Sequence, residues 1–321
     1  DLGWERELSY NVGTDISLFN RRLNFTFDVY LKKTTDLVLD ASRAPSTGTT
    51  SAKENIGEME NKGLEFQVDG MLVQRNDFYW QVAATGSMNR NRILKINSAL
   101  KKANEDANKV DSKTPLAQYE EGESTSALKV VKSAGIDPAT GQEVFIKLNG
   151  ERTFEYSADD KFVIGDTEPR FRGSVSTNLF YKGFSLYLLG RYECGAYLYN
   201  TTRATKVEGA DPKKNADKRV FSSRWKNPGD IAFYKDIADS EGWGSNPKHT
   251  DRFVEKENVF TLGTVNFGYE FRPNICSKIG VRNLRVGVNL TDIVRWSNVK
   301  IERGTTYLYS NGFEFTLSTT F

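Results

Sequence analysis

The sequence contains few of the residues that usually mark a catalytic, metal-binding or disulfide-bonded protein. Its 321 residues include two cysteines and one histidine, and Cys194 and Cys276 are too far apart to form a CxxC motif. Motifs of the GxSxG, HExxH and phosphate-loop types are also absent. Carboxylates on the predicted strands occur singly between polar residues, a spacing that does not indicate a general acid–base pair. The sequence therefore predicts no enzyme, cofactor or metal site.

Long hydrophobic runs and an excess of one charge are lacking as well. The longest apolar stretches are as short as LYLLG (186–190), well below the roughly 18 residues of a membrane-spanning helix. The 44 Lys and Arg residues nearly balance the 42 Asp and Glu residues, which argues against a nucleic-acid partner. His249 lies in a segment of loop composition, SNPKHTD, and is predicted to be solvated. A mean hydropathy of −0.54 still allows a transmembrane barrel, because half of each barrel strand is polar.

The sequence does contain a repeated alternation of apolar and polar residues. In the final segment GFEFTLSTTF, Phe313, Phe315 and Leu317 share one face, and Glu314 and Thr316 share the other. About fifty positions assigned to such apolar faces include no charged residue, although 27% of the chain is charged. The pattern predicts about nine strands, near residues 5–19, 22–39, 61–74, 78–96, 168–182, 184–199, 258–272, 283–294 and 310–321.

Two further features favour a membrane barrel over a soluble β-sandwich with an aromatic core, which is the alternative. Short connections alternate with long ones of roughly 20, 70, 60 and 20 residues, as in outer-membrane barrels. Aromatic residues also cluster beside the short turns and predict an interfacial girdle: Phe78, Trp80, Tyr181, Phe184, Phe271 and Phe321. A second set towards the long loops, including Tyr30 and Trp296, predicts the opposite girdle. We therefore expect an all-β fold, a transmembrane antiparallel up-and-down β-barrel whose strands pair with their sequence neighbours.

Several segments resemble, in the same order, the SusC/RagA family of TonB-linked outer-membrane proteins. They are DLGWERE, NVGTDISLFNRRLNFTFDVYLKKTTDLVL, NIGEMENKGLEFQVDG, SMNRNRI, SAGIDPATGQEVF, VIGDTEPRFRGSVSTNLFYKGFSL, RWKNPGD, DRFVEKENVFTLGTVNFGYEF, LRVGVNLTDI and the terminal Phe321. The resemblance implies a barrel of about 22 strands in the bacterial outer membrane, with residues 1–321 as its C-terminal part and long extracellular loops. The N-terminal plug and the remaining barrel strands are expected on an absent or separate polypeptide, because open sheet edges are unfavourable in lipid.

The resemblance also implies a function and partners. Such a barrel would import oligosaccharides or peptides with a SusD-like surface lipoprotein as its lid, and TonB would act through the missing N-terminal part. The lipid bilayer and the outer-membrane assembly machinery, which would use Phe321 as a signal, are further expected partners. Two alternatives remain open: a structural subunit of another outer-membrane complex, and a passive porin or secretion channel. The sequence does not distinguish glycan from peptide substrates.

Aromatic residues on the predicted loops are the candidates for contact with a ligand or a lid protein, because sugars and peptides pack on aromatic faces. These residues are Tyr119, Phe154, Tyr156, Tyr234, Trp243, Tyr307 and Tyr309. Packing of one loop on another is the alternative for all of them. SAGIDPATGQ is predicted to form a turn, and Trp225 of RWKNPGD is predicted to anchor the scaffold.

Overall fold

The computed structural model describes residues 2–42, 51–211, 213, 215–237, 247–300 and 310–321. The strands in chain order are β1 (Arg6–Leu18), β2 (Leu23–Ser42), β3 (Ser51–Arg75), β4 (Phe78–Ile96), β5 (Ala127–Ile136), β6 (Glu143–Ile146), β7 (Arg152–Thr153), β8 (Lys161–Asp166), β9 (Phe171–Tyr181), β10 (Phe184–Tyr199), β11 (Val254–Glu270), β12 (Asn283–Ser297) and β13 (Gly312–Thr320). The helices are α1 (Ser98–Lys109) and α2 (Pro273–Cys276), with a π-helical segment at Arg203–Glu208 and short 3-10 turns elsewhere.

Nine of these strands form one antiparallel sheet in the order β1-β2-β3-β4-β9-β10-β11-β12-β13. This confirms the predicted sequential order, in which each long strand pairs with the next long strand of the sequence. The strand bounds also lie close to the prediction, except that β3 begins at Ser51. Because β2 and β3 pair as far as Ser42 and Ser51, only residues 43–50 separate them. The prediction of a connection of roughly 20 residues there was wrong.

The register gives the sheet one apolar and one polar face. On β12, Val288 lies opposite Phe267 of β11 and Phe315 of β13. Its neighbour Asn289 lies opposite Asn266 and Glu314. Directly opposed residues of antiparallel strands point to the same side, so the alternation in the sequence becomes a continuous apolar face and a continuous polar face.

The two ends of this sheet differ strongly. At the short-turn end, residues 19–22, 76–77 and 182–183 connect successive strands, and residues 271–282 form a somewhat longer link that contains α2. At the long-loop end, residues 97–170 connect β4 to β9, and residues 200–253 connect β10 to β11. The predicted alternation of short and long connections is therefore present from β3 to β11.

The two outer strands of the described sheet each have a single partner. β1 pairs only with β2, and β13 pairs only with β12, and every residue of both strands is exposed. The nine strands therefore form an open sheet in the part of the chain that the structure describes, with two unpaired edges.

A second, four-stranded sheet in the order β7-β6-β5-β8 lies within the β4–β9 connection. This sheet was not predicted from the sequence. Together with α1 and the β10–β11 connection it forms a folded layer, which we call the loop layer (the described residues of 97–170 and 200–253). This layer contains most of the fully buried side chains of the described chain, including Val130, Val131, Val207 and Phe253.

Candidate functional site

Two sequence motifs from different connections pack on each other in the loop layer. The predicted turn at SAGIDPATGQ is present: the carboxylate of Asp137 accepts hydrogen bonds from the amide (3.1 Å) and hydroxyl (2.7 Å) of Thr140. Gly141 follows in the left-handed region at φ +75°, where a side chain would collide with the ring of Trp225. Trp225 is buried, and its Nε1 donates to the carbonyl of Pro138 at 2.9 Å. Trp225 thus anchors the second connection on the turn of the first, as predicted.

A buried ion cluster joins the same two connections. Nε and Nη2 of Arg252 each donate to Glu143 at 2.6 Å. Nη1 and Nη2 also donate to Glu208 at 2.8 and 2.9 Å, and Nη1 reaches the carbonyl of Phe233. All three charged side chains are buried. Burial alone would lower the pKa of Arg252, but the carboxylates of Glu208 and Glu143 raise it above its ordinary value, so the guanidinium stays charged.

The predicted contact residues of the loops occupy different environments. Tyr234 is buried beside Phe253, and its hydroxyl accepts from Nε of Arg203 at 3.2 Å. Tyr156 packs edge-on against Phe145 at 5.4 Å, and burial raises its pKa to about 12. These two positions favour the alternative of loop-on-loop packing.

The remaining candidates do not form a cluster. Tyr119 is half-buried, and its backbone exchanges hydrogen bonds with the side chain of Asn104. Phe154 is 53% exposed. Trp243, Tyr307 and Tyr309 lie outside the described residues.

The prediction of a solvated His249 was wrong. The side chain is only 8% exposed, because its ring packs edge-on against Tyr199 at 5.5 Å and its Nε2 bonds the carbonyl of Ser112 at 3.1 Å. Burial lowers the pKa of His249 to about 4, so the imidazole is neutral at physiological pH and Nε2 donates. Together with Tyr156 and Lys161, His249 lines a cavity of about 260 Å³ in the loop layer.

The polar face of the nine-stranded sheet carries side chains suited to contact with water or a polar solute. Asn24 donates to Asp69 at 2.8 Å across β2 and β3. A shallow cavity of about 300 Å³ on this sheet is lined by residues that include Asp28, Glu65 and Arg172. Tyr30 also lies on the polar face, where its hydroxyl donates to Asn89 at 3.2 Å. Its prediction as a girdle residue was therefore wrong, because it occupies the even-numbered, polar register of β2.

The aromatic residues predicted for the short-turn girdle lie at the short-turn end of the sheet. Phe78 and Tyr181 face each other with ring centroids 5.9 Å apart, and Phe184 packs against Phe267 at 6.0 Å on the next strands. Phe271 packs edge-on against Tyr269 at 4.9 Å. Trp80 donates from Nε1 to Thr177, and Phe321 is almost fully exposed. The role of these residues in the membrane stays a prediction.

None of the helices in the described part of the chain combines the length and the apolar character needed to cross a bilayer. Across the same residues, no group of three or more His, Cys, Asp or Glu side chains is placed to hold a metal ion.

Comparison with known proteins relates this architecture to a family. A model of the TonB-dependent-receptor-like β-barrel matches residues 1–118. The TonB-dependent receptor P39 of Formosa agariphila is 24% identical over 347 residues, which cover 93% of this chain and 32% of that protein. The TonB-dependent receptor SusC of Bacteroides thetaiotaomicron is 33% identical over 98 residues, 30% of this chain and 10% of that protein.

Solved structures agree in fold. The RagAB peptide importer in its open-open state gives a TM-score of 0.78 at 20% identity, over 100% of this chain and 35% of that one. Another RagAB peptide transporter structure gives 0.75 at 21% identity, over 92% and 32%. The resemblance to SusC/RagA-type TonB-dependent receptors is confirmed. The chain is an outer-membrane β-barrel segment and spans about a third of the length of the relatives it matches. The long-loop end is then extracellular, and the short-turn end is periplasmic.

Two groups of residues around a larger cavity were not predicted from the sequence. They belong to the segments SMNRNRI and VIGDTEPRFRG, which contribute Asn89, Arg90 and Asn91 and, from the second, Asp166, Glu168 and Arg170. The clustering of charged and amide residues within both segments was the available signal. Their proximity was not readable from the sequence, because some 75 residues of loop layer separate them along the chain.

Proposed function

We propose that residues 1–321 form the C-terminal part of the barrel of a TonB-dependent importer, with a plug and the remaining strands supplied by the rest of the protein. The imported ligands would be oligosaccharides or peptides. A SusD-like lipoprotein would cover the extracellular loops, and TonB would act on the plug. The proposal assigns the chain no catalytic step.

The observation that carries this proposal is the pairing of a polar channel wall with a folded extracellular layer. Asp28, Glu65 and Arg172 present charge on the polar face, which suits a hydrated lumen. The loop layer has its own buried core around Val207, Tyr234 and Phe253, so it offers a preformed surface at the entrance. A passive pore does not require a layer of this kind.

The RagAB structures are those of a peptide transporter and a peptide importer, which supports peptides as one substrate class. The SusC relative carries no substrate in its name. Both glycans and peptides therefore stay within the proposal.

The experiment is uptake by cells that express the full-length protein, with and without TonB. Labelled peptide and oligosaccharide mixtures are supplied separately, and the purified complex is examined for a bound lipoprotein. We expect uptake of one class that requires TonB, and little ion conductance in planar bilayers because the lumen is plugged. Uptake that persists without TonB would favour the passive channel. No uptake, combined with stable association with another outer-membrane complex, would favour the structural subunit.

A further inference from the structure

A cavity of about 740 Å³ lies beside the extracellular part of β4, within the size range of ligand sites. It forms where β4 and β9 separate: their pairing ends at Ser87 and Arg172. Beyond that point, residues of the loop layer border the cavity instead, namely Ser124, Ser126, Asp166 and residues 168–170. All of the lining belongs to described residues, and none of the aromatic residues proposed for ligand contact is part of it.

On its strand side the cavity reaches both faces of the sheet: Tyr30 and Asn89 line it from the polar face. From the other face it is lined by an apolar row and a basic pair. Val29, Leu64 and Met88 lie directly opposite one another on β2, β3 and β4 and form the apolar row. Two residues further towards the extracellular end, Lys62 lies opposite Arg90, and these two form the basic pair. All five residues line the cavity.

The apolar row and the basic pair share the apolar face of the sheet, which is the face that contacts lipid. This follows from the period of two along each strand, since Lys62 and Leu64 point to the same side, as do Met88 and Arg90. Val29 and Met88 are exposed in the isolated sheet, at 46% and 41%. A change from apolar to basic side chains on the outer surface marks the level at which hydrocarbon gives way to lipid head groups.

The positively charged side chains that line this cavity have few anionic partners in the protein. Lys62 approaches Glu60 only at 3.8 Å, which is long for a charge-assisted contact. Within the described residues, the guanidinium groups of Arg90 and Arg170 have no hydrogen bond or ion pair.

Two carboxylates line the same cavity. Asp166 accepts a hydrogen bond from Ser126 at 3.2 Å, and Glu168, two residues later in the sequence, also lines the cavity. Three cations and two carboxylates leave an excess of positive charge above an apolar surface. That combination suits an amphiphile with an anionic head.

We infer that the lipid-facing side of this cavity binds a phosphorylated glycolipid of the outer leaflet of the outer membrane. The phosphate contacts Lys62 and Arg90, and an acyl chain packs on Val29, Leu64 and Met88. A soluble anion would contact the basic pair but would leave the apolar row unused. This lipid site goes beyond the proposed transport function and does not depend on it.

The test uses the full-length protein in detergent, with purified diphosphorylated lipid A and its dephosphorylated form as probes. Native mass spectrometry or a fluorescence titration measures binding. Lys62→Gln combined with Arg90→Gln should weaken binding of the phosphorylated form about tenfold or more, since each cation near an anionic membrane surface contributes favourably. The matched control is Lys32→Gln, which removes a charge at a similar height on the polar face, opposite Asn61, and should leave binding unchanged.

The folding of each variant is checked by heat-resistant migration on gels, which should be preserved because both side chains are exposed. If the double variant nevertheless fails to fold, a second double variant, Lys62→Arg with Arg90→Lys, tests the inference instead. It keeps both positive charges and should therefore still bind phosphorylated lipid A more tightly than the dephosphorylated form. Equal affinity for the two forms of lipid A overturns the inference. Displacement of the lipid by inorganic phosphate, or wild-type affinity in a folded double variant, overturns it as well.

Discussion

Neighbouring residues on β12 face opposite environments. Val288 lies between Phe267 and Phe315 on the apolar face, and Asn289 lies between Asn266 and Glu314 on the polar face. We expect Val288→Arg to destabilise the intact barrel by about 2–4 kcal/mol, because it places a charge in lipid near the middle of the membrane. Asn289→Arg should cost far less and change permeation instead. Urea unfolding in lipid vesicles measures both, and equal effects of the two changes would refute the assignment of the faces.

His249 makes the stability of the loop layer depend on pH. Its pKa falls from an ordinary value near 6.5 to about 4, mainly because the ring is buried. The folded state therefore binds fewer protons than the unfolded state between these values, and stability rises with pH across that window. We expect the loop layer to lose up to about 3 kcal/mol as the pH falls from about 7 to 4.

Hydrogen exchange of the loop layer at several pH values measures this effect, with His249→Gln as the comparison. The glutamine amide can still donate to the carbonyl of Ser112, but it has no proton to gain. Burial raises the pKa of the neighbouring Asp251, so this residue makes stability fall as the pH rises. That opposite effect is the same in the wild type and in His249→Gln and does not affect their comparison. If the two proteins show the same pH dependence, His249 is not its source.

At the scale of elements, the two long connections behave as one unit because buried contacts cross between them. Trp225 of the second connection bonds Pro138 of the first, and Arg252 bonds Glu143 and Glu208. The two connections therefore form one packed platform at the long-loop end of the sheet.

The ion cluster gives a test of this coupling. Arg252→Met removes the cation that contacts both buried carboxylates, which costs about 3–5 kcal/mol. We expect faster hydrogen exchange in β5, β6 and residues 203–234 together, while the strands of the nine-stranded sheet stay protected. Adding Glu143→Gln and Glu208→Gln to Arg252→Met should restore part of the protection, because the buried charges are removed.

The control for this test is Lys147→Met, which breaks an exposed ion pair with Glu151 and should cost less than about 1 kcal/mol. Faster exchange in only one of the two connections would contradict their coupling.

The long strands could be predicted from the sequence because their alternation is local. Phe313, Phe315 and Leu317 need only a period of two to share a face. The start of β3 was misplaced because its first ten residues, SAKENIGEME, carry charges on both faces of the strand and show no apolar alternation. The loop layer was missed for a different reason. β6 and β7 are only four and two residues long, too short to show a period of two. The contact between Arg252 and Glu143 joins residues 109 positions apart, and no local sequence pattern predicts such a contact.

At the scale of the whole molecule, the open sheet determines whether the chain can be stable in a membrane without further strands. Every residue of β1 and β13 is exposed, and each strand uses only one of its two hydrogen-bonding edges in the described sheet. In a bilayer, each unpaired backbone group would cost several kcal/mol. The relatives are about three times longer than this chain, which is consistent with further strands that complete the barrel.

We therefore expect that residues 1–321 alone do not insert as a stable barrel. When refolded into lipid vesicles, the segment should give no heat-resistant monomer and should aggregate through its edges, because free strand edges pair readily with other strands. The full-length protein should migrate as a heat-resistant monomer under the same conditions. Co-refolding the segment with the separate remainder of the protein should recover some of that species if β1 and β13 pair with its strands. A heat-resistant, protease-protected monomer of the segment by itself would show that the sheet closes without them.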